Sequence, residues 1–461
     1  MSTLPVAHAG DVRRARVARL AVEPLPPTPM WTRFWQVRVR STPGGPLLSN
    51  LDIDQEVRAT GATAIDGVRW LRVQLWGALD GWIRADLLAP TPIVPTPGPP
   101  GVPVAPHPVG PHAPMPVHAD GVADGEARLR TQPDSGASLL QILPSGTPLH
   151  VKAWVTDSTG QAWYRTSAPV EGWVSADHVN LDRGTPLPNL AAVQGLGMWC
   201  TPPVLDAAPP QALVSAAVAN HITHIYVEVA GSHDGFWGKQ TLDTLLPVAH
   251  AAHIAVIAWV YPFLDDLPLD VEQSVQVARY VAPSGDRPDG LMADVEQNMQ
   301  EPYVRAYSQV VRARLGPRVL MGIATYPPQS YWGARYPFRT VARSWDVIVP
   351  MDYWHLSPRP YAAAEAADYV TASIAGIRQA VGSQTVPIEV LGQMFDFYQT
   401  GLNSPTMAEV EAAINAAIAG DAIGVSFFEW NHATPGEWDA LGAWHEPDPG
   451  VQKAATEVAA Q

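Results

Sequence analysis

Residues 289–296 read Asp-Gly-Leu-Met-Ala-Asp-Val-Glu, and this stretch determines how the C-terminal part of the chain is interpreted. A short apolar run that follows a turn residue is typical of a buried strand. Side chains two positions apart on a strand face the same side, so Asp294 and Glu296 point the same way. Two carboxyls this close resist joint ionisation, so one pKa rises and a proton donor near neutral pH results.

Outward from this stretch, short apolar segments alternate with amphipathic, Ala-rich segments. The predicted strands are 195–200, 224–230, 255–262, 290–296, 319–327, 346–354, 387–395 and 423–430. The helical patterns include 209–220, 267–281, 302–315, 362–380 and 407–419. Eight strands separated by crossovers in about 250 residues predict an α/β fold, a (β/α)8 TIM barrel over residues 190–445.

In such barrels the active site lies at the carboxyl ends of the strands, and acids and aromatic residues collect there in this sequence. The candidate catalytic acids are Glu296, Asp294, Asp352, Glu228 and Glu429. The candidate substrate-binding residues are Trp199, Trp259, Tyr261, Tyr326, Tyr353, Trp354, Trp430 and Asp396. Glycoside cleavage needs a carboxylic acid to protonate the leaving oxygen and a second charge or nucleophile to support the oxocarbenium-like centre. Aromatic faces stack on sugar rings while polar groups bind the hydroxyls.

The strand-four segment resembles that of family 18 glycoside hydrolases, the chitinase-like group, which reads Asp-Gly-x-Asp-x-Asp-x-Glu. This resemblance implies that Glu296 is the general acid and that Asp294 positions a substrate N-acetyl group. Met292 replaces the first Asp of the family's triplet, and Trp354 replaces the acid that the family carries after Tyr353.

The same segment is similar to that of family 25 lysozymes, which carry Asp-x-Glu at the end of strand four. In that interpretation Glu296 is again the acid, Asp294 assists it, and Asp352 is a further contributor. Trp199 and Cys200 stand where that family has its strand-one aspartate.

The N-terminal half contains an internal repeat. Val-Arg-Val-Arg-Ser-Thr-Pro at 37–43 matches Ala-Arg-Leu-Arg-Thr-Gln-Pro at 127–133, and each copy ends in Gly-Trp-φ-x-Ala-Asp, where φ is apolar. Alternating apolar and polar residues between turns predict short strands in small all-β barrels. The order resembles bacterial SH3-like domains, which implies attachment to cell-wall or surface ligands. The alternative is that Trp82 and Trp173 simply fill two small cores.

Proline-rich segments divide the chain further, and the proline content of residues 90–117 predicts an extended spacer. The expected organisation is an unstructured extension (1–29), a first SH3-like domain (30–89), a Pro-rich linker (90–118), a second SH3-like domain (119–183), the barrel (190–445) and a tail (446–461).

Charge and composition restrict the partners. Residues 1–185 carry 16 basic and 16 acidic residues, so the net charge of −15 lies entirely in residues 186–461. An acidic barrel is unsuited to nucleic acid, whereas neutral or cationic polymers fit it. The single cysteine, Cys200, allows no internal disulfide. We expect no metal site, because His233, His355 and His432 lack ligand spacing, and no cofactor.

No membrane span or secretory signal is visible. We expect the protein to act at a cell surface, in a particle or in a lytic system, and separately we expect a monomer. Three functions remain open. The first is a glycosidase that cleaves a polysaccharide such as peptidoglycan or a related amino-sugar polymer. The second is an inactive glycan-binding protein, favoured by Met292, and the third is a structural or particle-associated component.

Overall fold

The structure is a computed structural model. It describes residues 22–32, 37–44, 47–51, 56–65, 68–74, 80–90, 113–184, 189–207, 209–232, 234–355, 360–395 and 404–443. Most of the predicted linker and the whole predicted tail lie outside these ranges. Two compact units are present, Met1–Gly101 and Val102–Gln461. No described helix is both long and apolar enough to cross a membrane.

The first unit contains an antiparallel sheet. Its strands are β1 (Glu23–Thr32), β2 (Val37–Arg40), β3 (Leu47–Leu51), β4 (Glu56–Ile65), β5 (Val68–Gln74), β6 (Asp80–Arg84) and β7 (Leu88–Ala89). Strand β1 begins at Glu23, inside the extension that was expected to be unstructured. Its prolines are compatible with a strand because the pairing with β4 shifts register between Pro24 and Thr28.

The second unit opens with a similar antiparallel sheet. Its strands are β8 (Met115–Ala123), β9 (Ala127–Arg130), β10 (Leu139–Leu143), β11 (Pro148–Thr156), β12 (Ala162–Ala168), β13 (Gly172–Ser175) and β14 (Val179–Leu181). The strand orders are β3-β2-β6-β5-β4-β1-β7 and β10-β9-β13-β12-β11-β8-β14, so the two sheets have the same topology. The sequence repeat is therefore a structural repeat. Strand β8 begins three residues before the predicted end of the linker.

A closed eight-stranded parallel barrel follows. Its strands are β15 (Gly195–Cys200), β16 (Ile222–Gly231), β18 (Ala255–Tyr261), β19 (Gly290–Asp294), β20 (Leu320–Thr325), β21 (Val347–Asp352), β22 (Glu389–Gln393) and β23 (Gly424–Phe428). Strand β15 pairs with both β23 and β16, which closes the barrel, and β17 (Gly235–Phe236) pairs antiparallel with β16. The prediction of eight parallel strands is confirmed, since every predicted strand contains or overlaps an observed one.

Helices connect the barrel strands. They are α1 (Pro202–Ala207), α2 (Pro210–Ala219), α3 (Lys239–Ala251), α4 (Leu267–Ala278), α5 (Glu301–Leu315), α6 (Phe338–Val341), α7 (Ala363–Val381), α8 (Met407–Ala419) and α9 (Pro435–Ala443). Helix α8 begins with a capping box, because Thr406 and Glu409 each accept a hydrogen bond from the other's backbone N–H. The helices cover the outer face of the barrel, as expected for parallel strands joined by crossovers.

The interior of the barrel is packed rather than open. At its amino-terminal end, His224 Nε2 lies 3.1 Å from Glu389 Oε1, and the Tyr226 hydroxyl donates to the other oxygen of Glu389. A Cβ on Gly197 would lie 2.2 Å from the His224 ring, so glycine is required beside it. These side chains fill the amino end of the barrel.

The second antiparallel sheet is joined to the barrel through α5. The Gln309 side chain accepts a hydrogen bond from the Leu181 backbone N–H at 3.2 Å and donates to the Val179 carbonyl at 3.1 Å. Arg305 donates to Asp124 at 3.1 Å and to Asn180 at 3.0 Å. Because Gln309 is buried, these bonds fix the sheet to the outer face of the barrel.

Candidate active site

Four buried acids occupy the carboxyl end of the barrel. Glu228 lies on β16, Asp294 and Glu296 lie at the end of β19, and Glu429 follows β23. Their exposed fractions are 1%, 3%, 7% and 5% respectively. We call these four residues the acid cluster. Within the described part of the chain, neither Asp294 nor Glu296 forms an ion pair with a Lys, Arg or His.

Asp294 and Glu296 form a coupled pair. Burial raises the pKa of Asp294 well above its ordinary value, and the charges of Glu296 and Glu228 act in the same direction. Burial also raises the pKa of Glu296, to about 7, although hydrogen bonds from Tyr326 and Asp294 oppose the rise. The Tyr326 hydroxyl donates to Glu296 Oε2 at 2.8 Å. The pair can therefore hold a transferable proton at neutral pH.

Glu429 lies near Glu228 on the other side of the cluster. Burial raises the pKa of Glu429 to about 7, the charge of Glu228 contributes to the rise, and a hydrogen bond from Thr201 opposes it. Glu429 Oε1 lies 3.2 Å from His432 Nδ1. Partial burial lowers the pKa of His432, although its side chain is 60% exposed.

Two further tyrosine hydroxyls are buried near the coupled pair. Burial raises the pKa of Tyr261 well above its ordinary value, and the charges of Glu296, Asp294 and Glu228 contribute. Burial likewise raises the pKa of Tyr336 well above its ordinary value, and the charges of Asp294 and Glu296 contribute. The Tyr336 hydroxyl has no hydrogen-bond partner among the described residues, although the side chain is only 6% exposed. These phenols remain neutral and can donate or accept hydrogen bonds.

An aromatic layer underlies the acid cluster. Trp199 stacks on Tyr226 with ring centroids 4.3 Å apart and meets Trp259 edge-on at 4.8 Å. The Trp199 indole also donates to Ser426 at 3.0 Å. Trp199 and Trp259 are 1% and 0% exposed, so they close the barrel from below and offer no free face to a sugar.

Partly exposed aromatic rings lie beside strands β21 to β23. Tyr353 meets Phe395 at 5.1 Å and Phe428 at 6.2 Å between centroids. All three rings are half-buried, so they can present apolar surface to a ligand. Trp430 is also half-buried and packs against Trp438 of α9 at 4.8 Å. Asp396 lies outside the described residues.

Asp352 is the last residue of β21, and Trp354 lies two residues beyond it; both side chains contact the helices, unlike that of Tyr353. Burial raises the pKa of Asp352 well above its ordinary value, and the nearby Ser373 hydroxyl of α7 opposes the rise. The Trp354 indole donates to Glu409 of α8 at 2.8 Å. Because side chains alternate along a strand, these two residues face the helices and are separated from the acid cluster.

Met292 lies inside the barrel, on the same face of β19 as Asp294. Its side chain occupies the space over Gly322 of β20, where an added Cβ would lie 2.3 Å from the Met292 terminal methyl. Met292 is 1% exposed. The position is therefore filled by apolar packing rather than by an acid.

Several site residues were not predicted from the sequence. Tyr336 belongs to the connection after β20, Thr201 follows β15, and Phe395 and Phe428 lie at the ends of β22 and β23. A search for aromatic residues at alternating positions of the predicted strands could have found the two phenylalanines. No sequence signal identifies Tyr336, because its position depends on how a long connection folds back. Within the described residues, no group of His, Cys, Asp and Glu is arranged to hold a metal ion.

Comparison with known proteins gives structural likenesses only. No known family matches the sequence, and no curated protein is similar to it in sequence. The chain is similar to a chitinase from Chromobacterium violaceum at 12% identity, with 55% of this chain and 100% of that chain covered and a TM-score of 0.42.

Two further solved structures show the same level of similarity. The spore cortex-lytic enzyme SleL from Bacillus cereus is 12% identical, with 60% of this chain and 78% of that chain covered and a TM-score of 0.42. An endo-1,4-β-D-mannanase from Thermotoga petrophila is 12% identical, with 51% and 88% covered and a TM-score of 0.41. These values assign no function to the chain.

Proposed function

We propose that the barrel is a glycosidase that cleaves a polysaccharide, with a cell-wall or amino-sugar polymer as substrate. Glu296 acts as the general acid in this proposal, and Asp294 holds the neighbouring proton. The observation that carries it is the coupled pair, in which a buried Glu296 with a pKa of about 7 accepts a hydrogen bond from Tyr326. Such a carboxyl can donate a proton at neutral pH.

The reaction needs few steps. Glu296 transfers its proton to the glycosidic oxygen as the bond to the anomeric carbon breaks. The positive charge that develops at the sugar ring is stabilised by the carboxylates of Glu228 and Glu429. Water then supplies hydroxide to the anomeric carbon, and its proton returns to Glu296. Tyr326 and Asp294 stabilise the Glu296 anion between these steps, since both donate hydrogen bonds to it.

The two antiparallel sheets complete the proposal as SH3-like targeting domains, which begin with β1 at Glu23 and with β8 at Met115. Support comes from their shared strand order and from the fixed contact between the second sheet and α5. Two such modules on one chain would raise affinity for a repetitive surface without any new contact.

One observation favours a second candidate function. Met292 fills the position below Asp294 with apolar atoms, so the coupled pair lacks a third acid on β19. A barrel of this kind could bind a glycan without cleaving it. The two functions predict the same contacts and differ only in turnover.

The test is release of reducing ends from purified peptidoglycan, chitin oligomers and a neutral β-glucan. General acid catalysis contributes about 10²–10⁴-fold, so Glu296→Gln should lose at least about a hundredfold in rate while glycan binding survives. Glu437→Gln is the matched control, because Glu437 is also buried with a raised pKa and its capping contact with Thr434 can be kept by Gln. The control should retain the wild-type rate.

Two outcomes contradict the proposal. If wild type releases nothing from any of the three glycans yet binds one of them, the barrel is a glycan-binding protein. If Glu296→Gln cleaves at the wild-type rate, another group donates the proton.

A further inference from the structure

The connection between β20 and α6 carries two exposed aromatic rings. Tyr331 and Trp332 are 45% and 36% exposed, and they are the only aromatic residues among the exposed large apolar side chains that the structure describes. Their rings meet edge-on with centroids 5.0 Å apart. We call these two residues the aromatic platform. We infer that the aromatic platform binds outlying sugar units of the same glycan that reaches Glu296, so the substrate is a chain of several sugars.

This inference rests on the proposed function and adds the length of the substrate to it. The connections that follow the strands of a parallel barrel lie at its carboxyl end, where the active site is built. The aromatic platform belongs to the connection after β20. It therefore lies at the same end of the barrel as Asp294 and Glu296.

Close contacts join the aromatic platform to the proposed acid. The Tyr326 hydroxyl donates to Glu296 Oε2 at 2.8 Å. The Tyr326 backbone packs against Gly333, where an added Cβ would lie 2.8 Å from the Tyr326 carbonyl oxygen. Since Trp332 precedes Gly333, the platform lies beside Tyr326 in space. The platform also begins five positions after Tyr326, which limits the distance between their Cα atoms to about 18 Å.

The connection holds the aromatic platform in a fixed position. The Arg335 guanidinium donates to the Tyr331 carbonyl at 2.9 Å and lies 4.3 Å from the centroid of the Tyr331 ring. A second contact ties the connection to α7, because the Gln329 side chain donates to the Tyr369 carbonyl at 3.0 Å. A ring that is already held in place loses little conformational entropy when a ligand binds to it.

The chemistry of the aromatic platform suits carbohydrate. The apolar face of a sugar ring packs on an aromatic ring while polar groups bind the hydroxyls. Arg335 is exposed beside Tyr331, and a guanidinium has five N–H donors, so it can bond hydroxyls next to the stacked face. The alternative occupant is a second copy of this chain. Two rings supply only a small part of the roughly 800 Å² that each partner buries in a stable dimer.

Oligosaccharide binding to the full-length Glu296→Gln chain tests the inference without turnover. The probes are β-1,4-linked oligomers of N-acetylglucosamine and of glucose with two to six sugars, titrated by calorimetry. Affinity should rise with length as the oligomer reaches the platform. Adding Trp332→Ala should weaken hexamer binding about tenfold and leave dimer binding unchanged, because the lost ring contacts only the outlying sugars. Trp332→Phe keeps a ring and should retain most of the hexamer affinity.

Val218→Ala is the matched control. Val218 is 51% exposed near the end of α2, so this substitution removes exposed apolar surface away from the carboxyl end of the barrel. In the Glu296→Gln background it should leave the affinity for every oligomer unchanged. Equal affinities of the Trp332→Ala and Val218→Ala variants, or no binding of any oligomer, overturn the inference. A wild-type dimer in sedimentation that becomes a monomer on Trp332→Ala also overturns it, in favour of a second copy.

Failure of the inference and failure of the proposed function give different results. Cleavage that depends on Glu296, with the same KM for the hexamer in wild type and Trp332→Ala, leaves the glycosidase and removes the platform. Length-dependent binding that Trp332→Ala abolishes, in a chain that cleaves none of the polymers, leaves the platform and removes the hydrolase. If both proposals hold, Trp332→Ala should raise KM with little change in kcat, because it removes contacts made equally in ground state and transition state.

Discussion

Two groups of buried acids in this barrel differ in what surrounds them. In the helix layer, Asp346 accepts hydrogen bonds from Arg312 at 2.5 Å and from the Met321 backbone N–H at 2.9 Å, and Arg183 lies 3.1 Å away. The acid cluster at the carboxyl end of the barrel has no comparable cation near Asp294 or Glu296 among the described residues.

Glu409 belongs with Asp346. Burial alone would raise its pKa, but hydrogen bonds from His355, the Thr406 backbone and Trp354 hold the pKa of Glu409 below its ordinary value. Glu296 is buried too, yet its pKa rises to about 7. Both Glu409 and Glu296 are therefore buried, and the hydrogen-bond donors around Glu409 account for the difference between their pKa values.

The largest expected effect on the free energy of unfolding comes from removing the Asp346 carboxylate. Asp346→Ala leaves Arg312, which is 2% exposed, without its carboxylate. Loss of one partner of a buried ion pair costs about 3–5 kcal/mol in the free energy of unfolding. The control is Glu272→Ala, which removes a more exposed ion pair with Arg314 and should cost at most about 1 kcal/mol. Chemical denaturation measures both, and equal losses would mean that Asp346 is no more structural than a surface acid.

A smaller effect, a gain rather than a loss in the free energy of unfolding, is expected from a substitution in the acid cluster. Because the pKa of Glu429 is about 7 in the folded chain and 4.5 is its ordinary value, the folded state binds this proton more tightly. The free energy of unfolding therefore falls as pH rises between these two values. Glu429→Gln removes this pH-dependent loss. The free energy of unfolding of the variant, relative to that of wild type, should therefore rise by roughly 3 kcal/mol between pH 4 and pH 8.

Denaturation of wild type and Glu429→Gln at both pH values measures this gain. The gain concerns the difference between the two pH values, so any constant cost of the substitution cancels. A variant whose stability relative to wild type is the same at pH 4 and pH 8 would show that Glu429 ionises normally and does not belong with Glu296.

The barrel was predictable from the sequence because its strands are short apolar runs whose order and spacing leave few topologies. The ends of the strands were less predictable, because β19 stops at Asp294 and Glu296 lies beyond it. At the amino end of the chain, proline content argued against a strand at 23–29, but pairing with β4 across a register shift overrides that local preference.

The site was predictable only in part. The two-residue spacing groups Asp294, the last residue of β19, with Glu296, whereas the consecutive residues from Asp352 to Trp354 cannot all point the same way. Trp199 and Trp259 are inside the barrel, but the sequence does not say whether an inward ring is a floor or a free surface. The position of the Tyr336 side chain depends on the path of the long connection after β20, and no local sequence pattern predicts that path.

The pH dependence of cleavage is the measurement to make first, because it shows whether Glu296 is the proton donor of a glycosidase. The rate should be measured from pH 4 to pH 9 on whichever glycan wild type cleaves, beside Glu296→Gln. Since the acid form is required and the pKa of Glu296 is about 7, the wild-type rate should fall as pH rises through 7, and the variant should stay below about 1% throughout. A wild-type rate that is constant from pH 6 to pH 9, or a variant that follows the wild-type profile, would contradict the account.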